Sequence, residues 1–240
     1  MNIDIIATQP SHVDFPYFRW WLHHNRQLFN KIILPIQRSA ANIDLSSELK
    51  RVMSNDNILF IDQIPPRPDW RDACIHAALE QSSAEYVLFM EQDFLIKTAK
   101  FQEFLSTEKP SKDVIGFMEG SPTSRLHPAF LLVKQDLLKQ TSMNFSACPV
   151  PPEADHFGYV SMDLKRLYPD WTTLENLGLS TPIDWEHLAG LTHNYTLLSR
   201  GEYVAFKRPR FIEYNNELLR LPVEQISIFL QNITESASLK

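Results

Sequence analysis

The chain has 240 residues, 44% of them hydrophobic and 22% charged, with a formal net charge of −6. That length suits one large domain or two small ones and supplies a sizeable core, while the acidic balance argues against a general nucleic-acid or anionic-membrane binder. Two cysteines, Cys74 and Cys148, are too few for a disulfide framework, and no apolar stretch reaches the length of a membrane span.

Met1 to Thr8 lacks a basic segment followed by a long apolar run. The reading is a buried strand over Ile3 to Thr8 rather than a signal peptide, with a cytoplasmic location as the expectation. Asn-x-Ser/Thr sequons at Asn144, Asn194 and Asn232 are then read as chance. Pro16 suits the first turn of a helix running through Leu22. Lys31 to Ile36 is a second strand, residues 42–54 a helix with Leu45, Leu49 and Val52 on one face, and Asn57 to Ile61 a third strand. A stiff Pro-rich loop, Gln63 to Pro68, leads to a helix from Trp70 to Ser82, in which Cys74 reads as a core thiol. The fourth strand begins at Tyr86. Strand and helix thus alternate through the first hundred residues, which predicts an α/β fold with a mostly parallel sheet flanked by helices.

The second half is less regular. A short helix at Phe101–Ser106 and a strand at Asp113–Phe117 precede a strand at His127–Val133 and a helix at Gln135–Gln140. Residues 148–158, rich in Pro and acids, read as a loop over the site. Helices are expected at 159–168 and 184–190, strand-like alternation at 195–206, and an amphipathic helix at Val223–Gln231. The whole reads as a single domain, with residues 1–110 as the donor half and 111–240 as the acceptor half.

The most informative stretch is Tyr86-Val87-Leu88-Phe89-Met90-Glu91-Gln92-Asp93-Phe94-Leu95-Ile96. A buried apolar run stops at two carboxylates one residue apart. Residues i and i+2 on a strand share a face, and buried charge needs compensation. Two oxygen-donor side chains at a strand end therefore point to Mg²⁺ or Mn²⁺; the competing reading is a pair of solvated acids. Asp93, with the shorter side chain, is the better direct ligand. Glu91 can instead face a sugar or a basic residue.

Ligands of parallel α/β sheets bind beyond the carboxyl ends of the strands. Gln9, Asp62 and Asp93 all lie at such ends. Thr8 and Gln9 read as an ordinary turn or as hydrogen-bonding groups for a ligand at the end of the first strand, and Arg71, opening the helix after the Pro-rich loop, as a surface cation or as a partner for an anionic ligand or an acid of the site. Trp171 and Trp185 read as core or as sugar-stacking rings. The basic run Lys207-Arg208-Pro209-Arg210 reads as a solvated loop or a contact to phosphate.

The first strand, the arginine-bearing helix Arg71–Leu79 and the acidic strand end Glu91-Gln92-Asp93 together resemble a GT-A nucleotide-sugar glycosyltransferase, close in layout to the inverting family 2. The resemblance spans residues 1–135. It implies a GT-A-like, Rossmann-type sandwich and a hexosyltransferase-like, metal-dependent activity of the kind used in polysaccharide biosynthesis. A UDP- or GDP-sugar would be the donor, and a glycan or small molecule the acceptor. In the family's D-x-D motif the first position is Asp; here it is Glu91.

The resemblance further implies a late histidine completing the metal site, for which His193 is the candidate and His187 the competitor. It also implies a carboxylate base in the acceptor half. Asp155 is the candidate that would deprotonate the acceptor hydroxyl, with Glu153 and Asp163 as rivals. A non-catalytic GT-A-like binding protein is the alternative. A nucleotidyltransferase is disfavoured because the loop after strand one, Gln9-Pro10-Ser11-His12, lacks the Gly-rich basic character of that class.

Overall fold

The structure is a computed structural model. It describes residues 1–8, 22–23, 25–37, 50, 57–64, 70–91, 94–96, 103–105, 112–119, 125–146, 148–149, 156–173, 176–177, 196–200 and 203–207. A seven-stranded sheet forms its centre. In chain order its strands are β1 (Ile3–Ala7), β2 (Lys31–Gln37), β3 (Ile58–Ile64), β4 (Tyr86–Met90), β6 (Val114–Glu119), β7 (Arg125–Lys134) and β8 (Thr172–Thr173). Their spatial order is β3-β2-β1-β4-β7-β6-β8. The first four are parallel neighbours, β7 runs antiparallel to both β4 and β6, and β8 is parallel to β6. The expected α/β sandwich with a mostly parallel sheet is thus the observed architecture.

β1 and β4 are buried at every position. Central parallel strands are covered on both faces, so their sequences run apolar rather than alternating. One face carries Ile6, Ile33, Val87, Phe89, Leu131 and Val133, packed with Ile75 and Ala78 of helix α1 (Trp70–Gln81). Leu138 of the short helix α2 (Gln135–Leu138) and Val160 and Leu164 of α3 (Gly158–Leu167) complete that layer. Trp171 packs against this same cluster, which gives it a core role.

β1 contains one charged residue, Asp4, with no exposed surface. Its Oδ1 accepts the Asn30 side-chain amide at 2.9 Å. Its Oδ2 accepts the Ser82 hydroxyl at 2.8 Å and the backbone N–H groups of Ser83 and Ala84 at 3.0 and 3.2 Å. A buried carboxylate is tolerated when its lone pairs are filled this way. The four donors belong to the chain entering β2 and to the turn from α1 into β4. Asp4 therefore gathers three segments at the amino end of the sheet.

Several boundaries differ from the sequence reading, for physical reasons. β3 runs on to Ile64, because pairing with β2 continues past Pro35 through a register shift to Gln37↔Ile64. The Tyr86–Ile96 run breaks at Met90. Phe94–Ile96 forms β5, which belongs to a separate three-stranded sheet with β9 (Thr196–Arg200) and β10 (Tyr203–Lys207), ordered β5-β10-β9. β7 is longer than expected. Its Phe130–Lys134 half pairs with β4, while Arg125, Leu126 and His127 pair only with β6.

The change of partner coincides with an irregularity after Gly116. A Cβ at Gly116 would meet Leu126 Cδ2 at 2.3 Å, so the buried Leu126 side chain occupies the space over the glycine. Buried Pro128 lies in the same irregular stretch, where a strand tolerates a missing N–H. The expected helices at 17–22, 42–54, 184–190 and 223–231 fall wholly or largely outside the described residues.

Replacing Asp4 by Ala strands four donors, two of them backbone, and should lower the unfolding free energy by about 3 kcal/mol in urea titrations. Burial pushes the Cys74 thiol up to about 12. Cys74 should accordingly stay unmodified when the native protein is alkylated at pH 8, and react once the chain is unfolded, as read by peptide mass spectrometry.

Candidate functional site

The strand order reverses direction between β1 and β4: β2 and β3 lie to one side of β1, and the chain returns to β1's other edge to form β4. Such a switch point opens a crevice beyond the carboxyl ends of the two strands, the usual ligand position in open α/β sheets. Here the two ends are Thr8 and Glu91. β1 and β4 are paired through Ala7↔Met90, and the Thr8 N–H donates to the Met90 carbonyl at 3.0 Å. Thr8 is 2% exposed, and among the described residues its hydroxyl oxygen has no hydrogen-bond partner. Buried hydroxyls are normally satisfied, so an orphan calls for an explanation such as a ligand. Glu91, directly after β4, is half-buried.

Asp62 lies in β3, one residue past Ile61, which the register sets level with Pro35. β3 is separated from β1 by β2, so Asp62 stands roughly 10 Å to the side of Thr8's strand. Arg71 is the second residue of α1, which enters from the carboxyl end of β3 and so begins on the crevice side of the sheet. Gln9, Asp93, Asp155 and His193 lie outside the described residues.

Phe157, two residues after Asp155, adopts a left-handed conformation with φ 65° and begins α3. A bulky side chain there costs about 1–2 kcal/mol. Packing holds it: the Phe157 ring meets Phe89 and Phe145, each at a centroid distance of 5.0 Å. Its N–H donates to the Phe145 carbonyl at 2.9 Å. Phe145 is held in turn by Asp72 of α1, whose Oδ1 accepts the Phe145 N–H at 2.7 Å. Phe89 is the next-to-last residue of β4. The start of α3 therefore lies beside the carboxyl end of β4. Sequence reasoning missed this aromatic pin; the only available signal was the density of Phe residues.

The small sheet adds a second constraint. β5 pairs antiparallel with β10 through Phe94↔Ala205, and β10 pairs antiparallel with β9 through Lys207↔Thr196. The start of β5, the start of β9 and the end of β10 hence share one end of this sheet.

Asp163, a rival for the base, is committed elsewhere. Its Oδ2 accepts the Ser142 N–H at 2.7 Å and its Oδ1 accepts Arg166 at 3.2 Å. Burial would raise its pKa, but the Ser142 and Arg166 hydrogen bonds outweigh that and hold it below the usual carboxylate value. Among the described residues, no group of three or more His, Cys, Asp or Glu side chains is arranged to hold a metal ion. None of their helices is long and apolar enough to cross a membrane.

No protein-family profile and no curated protein matches this chain. Solved structures do. The glycosyltransferase GlyE of Streptococcus pneumoniae aligns with 100% of this chain and 65% of its own, at 11% identity and a TM-score of 0.50. The chain has a GT-A-like glycosyltransferase fold. TarS of S. aureus aligns over 68% of this chain at 13% identity and a TM-score of 0.46, and this chain spans only 34% of that protein. Glucosyl-3-phosphoglycerate synthase from Mycobacterium tuberculosis, solved with Mn²⁺, UDP-glucose and glycerol 3-phosphate, aligns over 72% of this chain and 70% of its own at 11% identity and a TM-score of 0.46. At these identities the likeness is one of fold.

The lowered pKa of Asp163 makes its contribution to stability complete above the unfolded carboxylate pKa and lost as the pH falls through the folded one. Asp163→Asn should reduce stability at pH 7 and flatten its decline toward pH 3, as read from denaturation midpoints across that range.

Proposed function

We propose that the protein is a glycosyltransferase that moves a sugar from a nucleotide-diphosphate donor to an acceptor hydroxyl, with metal assistance and inversion at the anomeric carbon. The observation that carries this reading is the β1–β4 switch point, where a buried Thr8 hydroxyl without a partner among the described residues and the acidic Glu91 stand at adjacent strand ends. A crevice in that position suits an elongated nucleotide ligand.

In this reading Thr8, Gln9 and Asp62 hold the nucleoside along the carboxyl edge of β1–β3. Arg71 pairs with the diphosphate as a charge-assisted donor. Glu91 accepts hydrogen bonds from the donor sugar. Asp93 and His193 would hold Mn²⁺ or Mg²⁺. The donor set suits these ions, since a carboxylate and an imidazole are both acceptable to Mn²⁺. The shared end of the small sheet supports the pairing of the two residues. A bound divalent ion supplies charge neutralisation on the departing diphosphate. Asp155 takes the proton from the acceptor hydroxyl as that oxygen attacks the anomeric carbon and the bond to the diphosphate breaks. Asp155 lies two residues before Phe157, which starts α3 beside the end of β4, and that supports this role. Holding donor and acceptor in line reduces the entropic part of the barrier.

A screen of UDP- and GDP-sugars for release of nucleoside diphosphate tests the reading. Asp93→Ala should remove Mn²⁺-dependent release while leaving the unfolding midpoint in place. Asp155→Asn should lower transfer by about 10²–10⁴-fold with donor affinity unchanged. Full activity of Asp93→Ala in EDTA overturns the metal-assisted mechanism. Donor binding with no release by the wild type makes the protein a binding module instead.

A further inference from the structure

Between α2 and α3 the chain runs through residues 142–146 with no helix or strand, and side chains there serve the backbone instead. Five successive N–H groups donate to side-chain oxygens. Ser142 donates to Asp163 Oδ2 at 2.7 Å, Met143 to Thr141 Oγ1 at 3.2 Å and Asn144 to Ser142 Oγ at 3.4 Å. Phe145 donates to Asp72 Oδ1 at 2.7 Å and Ser146 to Asn144 Oδ1 at 3.0 Å. Three of these acceptors are local. The other two make the shortest bonds, and they are carboxylates from α3 and α1. Ionised acceptors make the stronger hydrogen bonds, so the segment is clamped between two helices at Ser142 and at Phe145.

Met143, inside the clamp, is left-handed with φ 54°, as Phe157 is with φ 65°. Bulky residues rarely adopt this region, and such strain persists where the surroundings over-determine it, as they do at functional sites. Phe145 connects the clamp to Phe157. Its N–H is held by Asp72, its carbonyl accepts the Phe157 N–H at 2.9 Å, and its ring lies against those of Phe89 and Phe157. A continuous line of contacts thus runs from the first turn of α1 to the start of α3 beside the end of β4. The other oxygen of Asp72, Oδ2, stands 3.5 Å from His76 Nε2 on the more exposed side of α1. We propose that Asp72 is a positioning residue for sugar transfer: by fixing Phe145 it fixes Phe157, and with it the geometry from which α3 starts. This inference rests on the glycosyltransferase reading, in which Asp155, two residues before Phe157, takes the acceptor proton. The bond that matters is the one to the Phe145 N–H. It needs an oxygen at that point rather than a charge, whereas the contact with His76 needs the charge.

Steady-state kinetics of the full chain with the donor found in the UDP- and GDP-sugar screen test it, alongside amide hydrogen exchange at Phe157. Asp72→Ala should lower kcat for transfer about 10²-fold, the cost of a small misplacement set from outside the reacting groups, with the donor KM unchanged. The Phe157 amide should exchange faster in that variant. Asp72→Asn keeps an oxygen for the Phe145 N–H and should retain most of kcat. Asp72→Glu keeps the charge but displaces the oxygen, and should be as slow as the Ala variant. Tyr86→Phe is the control for a general loss of stability, because it removes a 3.1 Å hydrogen bond to Asp113 at the opposite end of β4; its kcat should match the wild type. Full kcat in folded Asp72→Ala or Asp72→Glu overturns the inference and leaves the glycosyltransferase reading standing. A loss of kcat in Asp72→Asn as large as in Asp72→Ala, or an equal loss in Tyr86→Phe, also overturns it. A wild type that releases no nucleoside diphosphate from any donor overturns the glycosyltransferase reading itself, and this role with it.

Discussion

The fold depends on a carboxylate that has been taken out of water. Asp4 sits in the middle of an otherwise apolar strand, and its oxygens accept four hydrogen bonds from Asn30, Ser82, Ser83 and Ala84. A buried charge is stable only when it is fully served by donors. The requirement is directional, unlike hydrophobic burial. It ties the entry to β2 and the turn between α1 and β4 to one point on β1. Once those are fixed, β1 has β2 on one edge and β4 on the other, and the switch point at the far end of the same strands follows. The stability of one end of the sheet thereby positions the crevice at the other.

At the crevice end the organising force is different. Phe89, Phe145 and Phe157 form a tilted and edge-on aromatic group that takes members from β4, from the segment after α2 and from the start of α3. Such contacts add about 0.5–1.5 kcal/mol each beyond burial. That is comparable to the backbone strain they hold at Phe157. Strain held by packing next to a ligand crevice is a common way of fixing a loop. Here it fixes the point where an acidic loop meets the sheet. Asp72 takes part as a hydrogen-bond acceptor for the Phe145 N–H rather than as a charge facing solvent.

The small sheet shows how a short strand can do topological work. β5 has three residues, too few to be stable alone. Through its pairing with β10 it ties the chain that follows β4 to two late segments, β10 and β9.

The apolar runs were enough to predict the parallel half of the sheet, since buried parallel strands leave strong local signatures at β1, β2 and β4. The acid pair was legible for the same reason: two charges ending an apolar run conflict with local burial, and such conflicts mark ligand sites. Other features had no local signature. Asp4 looked like one polar residue in a strand, and nothing near it in sequence named its donors. Asp163 looked like any other acid in a helix until Ser142 and Arg166 occupied its oxygens. The separation of β5 from β4, the change of partner along β7 and the pairing of β5 with β10 all depend on hydrogen bonding between distant strands. Periodicity within a segment reports which face is buried, whereas register and neighbour choice are set by hydrogen bonding between segments. Local sequence therefore determined the strands, helices and candidate acids of this protein, and only the tertiary structure decided which of them meet.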